Sequence, residues 1–416
     1  MKKFLILLFI TTSLIGQKIL IPMDQSQINH LKAYGITYWV LKQGLRVEWL
    51  LNYRGGAFLM DNHSGIIHEM RLRGVSWEEP SAGTLTNIYA TIDQNNMDVV
   101  LLEKAAEIAI YSPPNKQPWD DAVTLALSYA EVDYDVIWDR EVLDGELKDY
   151  DWIHLHHEDF TGQYGKFYAN YRHQEWYKEQ VAAFEAMAAE AGYSSVSEHK
   201  KAVARAIKNY VVDGGFLFAM CSATDALDIA LAAESVDIVA EPFDGTLPDP
   251  NCNSKLDFSK TLAFQNFQLY TNPFLYEYSD IDYPPSNLPK APGAMKDYFT
   301  LFEFSAKYDP VPTMLTQNHV SIVKGFMGQT TGFNRDKIKA SIVIMGEVEK
   351  SPQVKYIHGV AGQGSFTYLA GHDPEDYTHY VGDPKTDLDL HRQSPGYRLI
   401  LNNILFPSAK KKPQKT

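Results

Sequence analysis

Residues 214–225 read Gly-Gly-Phe-Leu-Phe-Ala-Met-Cys-Ser-Ala-Thr-Asp. An apolar strand runs straight into a cysteine, with a helix due two or three residues later. An unbroken apolar run of this kind belongs to a strand buried on both faces. The neighbouring sequence has the matching rhythm. Ile108–Tyr111 reads as a strand before a helix over Pro118–Ala130, with Asp120 and Asp121 in its acid-favouring first turn. Asp135–Trp138 precedes a short helical Glu141–Lys148, and Trp152–His156 is the next strand. A helix over Lys200–Val212 leads into Phe216–Met220, and Thr224–Ala233 leads out. Strands alternating with helices at this interval predict an α/β fold with a parallel sheet covered by helices on both faces. Strands at Ala340–Met345 and Ser365–Leu369 and a helix over Pro395–Leu405 complete the series, with Ser394 as N-cap.

The flanking regions divide the rest. Residues 18–105 read as an N-terminal α/β segment. Its strand Lys18–Met23, helix Gln27–Gln43 and strand Val47–Leu51 suggest a βαβ-type opening, with a turn at Asn52–Gly56 and a further short strand at Val75–Trp77. The main unit spans 106–406 and holds two insertions. Residues 160–197 bring the aromatics Tyr164, Phe167, Tyr168, Tyr171, Trp176 and Tyr177, read as the apolar face of an inserted subdomain. Residues 241–332 are irregular, with Pro284, Pro285, Pro289 and Pro292 marking loops. Residues 407–416 form a basic tail.

Charge narrows the partners. The formal net charge is −14, and the only dense basic run is that tail. A nucleic-acid partner is therefore not expected, since phosphates must be neutralised by clustered Lys and Arg. At the other end, Lys2 and Lys3 precede the mostly apolar run Phe4–Ile15 and the small Gly16. This pattern, over residues 1–17, fits a signal peptide and predicts export to the periplasm. No later run is long enough for a membrane span. Cys221 and Cys252 lie in such different settings, the latter between Asn251 and Asn253, that no bridge between them is expected.

Cys221 is the residue most suited to chemistry. A sharp strand-to-helix turn holds a nucleophile at the carboxyl edge of the sheet, and it needs small neighbours such as Ala219 and Ala223. The helix start favours thiolate, and the N–H groups of Ser222 and Ala223 would face a developing oxyanion. On these residues the chain resembles the class I glutamine-amidotransferase-like superfamily over about 106–235 and 340–406, which implies a flavodoxin-like fold. That family carries its nucleophile in a G-x-C-x-G elbow, and Cys221 maps onto it with alanines in place of the glycines. The family's histidine follows the last long strand, and His372 in Gly371-His372-Asp373-Pro374-Glu375 maps onto it. Asp373 interrupts the family's His-Pro-Glu, so either Asp373 or Glu375 is the orienting acid. Gly-His-Asp at a strand end is also similar to the trehalose-utilisation-like branch. Where the family has a Gly-rich oxyanion loop, this chain reads His156-His157-Glu158-Asp159-Phe160-Thr161-Gly162.

Along its whole length the chain also resembles exported proteins labelled asparagine synthetase B, through LLNYRGG (50–56), LHHEDFTGQYGKFYA (155–169) and FAMCSATD (218–225). The residues do not suit that activity. The enzyme of that name has Cys directly after the initiator Met and an S-G-G-x-D-S loop for ATP; here residue 2 is Lys and no such loop occurs. The expected function is an exported amidotransferase-like hydrolase, with Cys221 as nucleophile, His372 as base, Asp373 or Glu375 as orienting acid, and Ser222, Ala223, His157, Glu158 and Asp159 facing a small-molecule or peptide-like amide or ester. The rival is a non-catalytic periplasmic binding or scaffold protein that keeps the fold. No established metal-ligand spacing occurs, and no cofactor is assigned. A metal near His156, His157, Glu158 and Cys221, and with it a metal-dependent hydrolase, stays open.

Overall fold

A tight reversal near the N-terminus decides the first sheet. The computed structural model describes residues 17–115, 117, 119–284, 297–376, 382 and 384–411. The leader up to Gly16, the prolines at 285, 289 and 292, and the tail beyond Lys411 lie outside them. Strand β1 (Lys18–Ile21) leads into helix α1 (His30–Lys42), whose N-cap Asn29 accepts from the Lys32 N–H. Strand β2 (Val47–Leu51) then folds back on β3 (Ala57–Asp61). Asn52, Arg54, Gly55 and Gly56 in the turn all have positive φ, the backbone state of tight hairpin turns. Helices α2 (Ser64–Arg73) and α3 (Ala82–Gln94) precede β4 (Asp98–Leu102). The sheet order is β1-β3-β2-β4, with every pair antiparallel. This corrects the expected βαβ-type opening. β1 and β2 share a direction across α1, but the hairpin places β3 between them. The expected strand at Val75–Trp77 is reduced to one bridge between Leu20 and Glu78.

The second sheet begins with β5 (Ile108–Tyr111), α4 (Ala122–Ala130), β6 (Asp135–Ile137), α5 (Asp139–Leu143) and β7 (Trp152–Leu155). Helices α6 (Tyr168–Tyr171), α7 (Glu175–Glu190) and α8 (Val196–Val212) lead to β8 (Phe216–Met220), α9 (Ala223–Ala232) and α10 (Glu241–Asp244). Then come β9 (Tyr298–Leu301), α11 (Pro310–Leu315), β10 (Ile322–Lys324) and β11 (Phe333–Asn334). The last elements are β12 (Val343–Glu347), β13 (Gln353–Ala361), β14 (Gly364–Leu369) and α12 (Pro395–Leu405). The order is β10-β9-β12-β13-β14-β8-β7-β5-β6, with β11 on β13.

Strands β6, β5, β7, β8 and β14 pair in parallel, whereas β14, β13, β12, β9 and β10 pair antiparallel. The fold is α/β, but the sheet is mixed rather than parallel throughout. The cause is local: only Gly362 and Gln363 separate β13 from β14, with Gly362 at φ 61°. Two residues can close an antiparallel hairpin but not a parallel crossover.

The two sheets enclose a shared layer of α1, α4 and α12. One continuous core joins Trp49 and Phe58 of the first sheet to Phe218 and Met220 of the second through Leu31, Val123 and Ile400. Arg398 fixes this layer to the N-terminal turn by donating to the carbonyls of Met23 (2.9 Å) and Gly55 (2.6 Å). The outer face of the large sheet packs on α7, α8 and α9, where Leu217 and Ala219 alternate with the inward residues of the same strand. The aromatics of 160–197 pack there too: Phe167 meets Tyr171 and Trp176, and Tyr164 and Tyr177 are buried. Among the described residues no helix is long and apolar enough to cross a membrane.

Candidate functional site

Parallel strands deliver their following residues to one edge of the sheet, where α/β folds concentrate function. Four segments meet there: Asp120-Asp121 before α4, His156 to Asp159 after β7, Cys221 after β8 and His372 after β14. Cys221 has φ 50°, in the left-handed region. A non-glycine residue stays there only when its surroundings hold it. Its N–H donates to the carbonyls of Leu369 (3.3 Å) and Gly371 (3.1 Å), tying the turn to the end of β14.

The sulfur is fully buried. Burial pushes the thiol up to about 11, against the pull of the main-chain N–H groups of Thr330, Gln329 and Ser222. These N–H groups include two from a strap over 326–331 that covers the turn. A Cβ on Gly328 would stand 3.2 Å from Cys221 Sγ and 3.2 Å from His372 Cβ, so the strap lies across both residues. It is fastened to the segment after β14 by His372 N–H to the Met327 carbonyl (2.8 Å) and Gly371 N–H to the Thr330 carbonyl (2.7 Å).

His372 is buried, and its Nε2 lies 2.9 Å from the Asp120 carbonyl. A carbonyl only accepts, so Nε2 carries the hydrogen and Nδ1 presents the lone pair in the neutral ring. Of the two expected acids, Asp373 is engaged elsewhere. The Asp373 carboxylate accepts from the N–H groups of Glu375 (2.8 Å) and Asp376 (3.2 Å) through Oδ1, and from the hydroxyls of Thr386 (3.0 Å) and Tyr397 (2.8 Å) through Oδ2. Glu375 faces His391 at 3.2 Å. The expected oxyanion pair also needs correction. Ala223 N–H donates to the His156 carbonyl at 3.1 Å, because the turn packs against the end of β7. Ser222 N–H remains directed at the sulfur.

The residues after β7 have several roles. Asp159 caps its own loop, accepting from the N–H groups of Thr161, Gln163 and Gly165. Glu158 accepts from the His156 N–H at 2.6 Å, and burial raises its carboxyl to about 7. The rings of His156, His157 and His372 stack on one another with centroids 4.0–4.4 Å apart. Behind them, Asp121 Oδ2 lies 3.1 Å from His156 Nδ1 and 3.4 Å from His154 Nε2. Burial would raise the Asp121 carboxyl, but the charges of His156 and His154 hold it well below the usual range.

Among the described residues, the sets able to converge on a metal ion are His156-His157-His372 and Asp121-His154-His156. Neither includes Cys221 or Glu158, near which the sequence had left a metal open. Sequence reasoning missed Asp121, read only as an acid in a helix's first turn, and His154. The signal for the latter was present: residues two apart on a strand share a face, so His154 and His156 were already aligned.

A crevice of about 20 Å³ lies at this edge beside His157, Glu158 and Trp119. A groove of about 910 Å³ lies at the opposite end of the strands, lined by Asp213, Phe216, His358 and Ser365, and none of the predicted site residues reaches it.

No protein-family model matches the chain, and no curated protein matches it. Among solved structures, the cytoplasmic protein STM3548 from Salmonella typhimurium is 12% identical, covering 74% of this chain and 100% of its own, with a TM-score of 0.35. The cytoplasmic protein STM1381 from Salmonella typhimurium LT2 is 10% identical, covering 73% and 100%, with a TM-score of 0.33. A catalytic mutant of Gan42B, a GH42 β-galactosidase from G. stearothermophilus, is 12% identical over 66% of this chain and 28% of its own, with a TM-score of 0.27. Likenesses this distant assign neither a family nor an activity.

Proposed function

We propose that this chain is an exported, amidotransferase-like thiol hydrolase on a flavodoxin-like core, with Cys221 as nucleophile and His372 as base. The observation that carries this reading is the positive φ of Cys221 at the strand-to-helix turn, the strained backbone of a nucleophile elbow. The order β6-β5-β7-β8-β14 among the parallel strands supports the flavodoxin-like core. Export rests on the Lys2-Lys3 start and the apolar run that follows.

In the proposed reaction the strap over 326–331 lifts, water and substrate reach the sulfur, and the Cys221 proton passes to His372 Nδ1. The thiolate adds to the carbonyl carbon of an amide or ester. Ser222 N–H faces the oxyanion, supported by N–H groups of Gln329 or Thr330 when the strap returns. Collapse breaks the bond to the amine or alcohol, which takes the proton from His372. Water, deprotonated by His372, then cleaves the thioester to the acid and the free thiol.

One observation favours the rival reading of a non-catalytic binding or scaffold protein: the sulfur is covered and its thiol pushed up to about 11. Iodoacetamide labelling of the native protein decides between them. The hydrolase reading expects Cys221 to be alkylated at neutral pH, and more slowly in His372→Asn. Alkylation only after denaturation would leave the scaffold reading standing.

A further inference from the structure

We propose that Asp121, His154 and His156 form a zinc-binding centre behind the Cys221 turn. Strand alternation projects both imidazoles from β7 to the same face, and Asp121 meets them from the N-cap of α4. Asp121 Oδ1 is already engaged by the N–H groups of Val123 (2.7 Å) and Thr124 (2.9 Å), which leaves Oδ2 toward the histidines. Oδ2 lies 3.4 Å from His154 Nε2 and 3.1 Å from His156 Nδ1. A tetrahedral zinc ion with arms of about 2.0–2.1 Å holds its ligand atoms roughly 3.3 Å apart, so the existing spacing needs little adjustment.

Ring orientation separates this set from the neighbouring stack. His154 and His156 are tilted by 57° with centroids 5.5 Å apart, so their in-plane lone pairs can converge on one point. His156, His157 and His372 lie face to face at 11–29°, and lone pairs in nearly parallel rings run side by side.

The decisive feature is His154. Its side chain is fully buried, and Nδ1 lies 3.0 Å from the Phe218 carbonyl. That carbonyl fixes the hydrogen on Nδ1, so Nε2 turns a lone pair toward the Asp121 carboxylate. Among the described residues Nε2 has no well-aligned hydrogen bond, only the 3.4 Å approach of Asp121 Oδ2. With the ring neutral, two acceptors face each other in a buried site, and a metal cation between them would supply the attraction that a protonated His154 otherwise gives Asp121. A main-chain carbonyl bonded to the far nitrogen is also how metal-bound imidazoles are commonly oriented. Two imidazoles with one carboxylate suit zinc better than calcium or magnesium, which prefer oxygen. Asp121 is 23% exposed and gives the ion a route in. The ion would also anchor the segment carrying the Asp120 carbonyl, to which His372 donates. The centre stands independently of whether Cys221 is a nucleophile.

The test is metal analysis of the full secreted chain, purified without chelators, alongside cobalt titration of the stripped protein. About one equivalent of zinc, and visible tetrahedral cobalt bands, are expected for the wild type. Folded Asp121→Asn and His154→Asn, checked by circular dichroism, should each weaken metal binding at least about tenfold, while His157→Ala and His372→Ala retain it. Less than about a tenth of an equivalent in the wild type, with no cobalt bands, overturns the proposal, and the buried group then holds a proton instead. Metal kept by folded Asp121→Asn and His154→Asn also overturns it. If those variants do not fold, loss of cobalt bands in His157→Ala or His372→Ala places the ion in the stack and overturns the proposal, and retention in both supports it. Cys221 alkylation is read separately, so failure of the hydrolase reading leaves this result intact.

Discussion

His372 Nε2 donates to the main-chain carbonyl of Asp120, 252 residues away in sequence, at 2.9 Å. The partner that sets its tautomer is thus a backbone atom, and the acid next to it does a different job. Asp373 holds the segment after β14 onto α12 through Tyr397 and onto its own N–H groups. Asp373→Ala should therefore destabilise the fold by about 2–4 kcal/mol, the scale for losing several bonds to a buried carboxylate. The alkylation rate of Cys221 in the folded fraction should change less than about threefold. A rate loss comparable to that of His372→Asn would restore Asp373 as the orienting acid. Urea unfolding and timed iodoacetamide labelling measure the two effects.

Gly328 offers a way to loosen the cover over Cys221. An added Cβ would meet Cys221 Sγ and His372 Cβ at 3.2 Å and the His372 N at 3.1 Å, closer than comfortable packing. Gly328→Ala should cost about 1–3 kcal/mol by overpacking and push the strap outward. Alkylation of Cys221 should become faster as stability falls. Slower labelling at reduced stability would mean that the strap stays in place and the elbow deforms instead.

How far the sequence foretold these features follows from how local each one is. The elbow at Cys221 was legible because a buried apolar strand, small flanking residues and a helix start all lie within a dozen positions. The helix Pro395–Leu405 was legible to the residue through its Ser-Pro start. The antiparallel half of the sheet was legible only in part: Ala340–Met345 overlaps β12, but β9, β10, β11 and β13 went unread. β13 carries Lys355, buried beside Asp297 at 3.3 Å, and a buried lysine breaks the apolar pattern by which a strand is recognised. The strap was unreadable for another reason. Phe-Met-Gly-Gln-Thr-Thr-Gly looks like ordinary loop, and its meaning arises only when Gly328 and Thr330 are brought against a cysteine more than a hundred residues earlier.

A buried ion pair holds α8 to the parallel sheet. Lys200 Nζ lies 2.8 Å from both oxygens of Asp139 and 3.0 Å from the Tyr111 hydroxyl, and it sits 3.8 Å above the Trp138 ring. Burial pushes its ammonium down from the usual lysine range, opposed by Asp139. Lys200→Met leaves the carboxylate buried without its counter-ion and should cost about 3–5 kcal/mol. Replacing Asp139 by Leu in the same chain removes the stranded charge, and most of the loss should return. A double variant no better than Lys200→Met would show that Asp139 is needed for its other contacts. Chemical denaturation of the two variants distinguishes these outcomes.

Asp225, on the first turn of α9, gives the fold a pH dependence of known sign. Its Oδ1 accepts from the Ala226 N–H (3.0 Å) and the Thr330 hydroxyl (3.2 Å), so it also ties the strap down. Burial raises its carboxyl to about 7, against those hydrogen bonds. The unfolded chain releases the same proton near 3.8. Between these values the folded state binds more protons than the unfolded state, so stability falls as pH rises. The contribution is fully present below about 3.8 and is lost as pH passes through about 7, with little further change above. Asp225→Asn removes the titration while keeping a carbonyl to accept from Ala226 and Thr330. Its stability relative to wild type should therefore rise between about pH 4 and 7, by a few kcal/mol at most, and then level off. Urea titrations of both proteins at stepped pH provide the comparison. A stability difference that does not change between about pH 4 and 7 would mean that Asp225 titrates alike in the folded and unfolded chain.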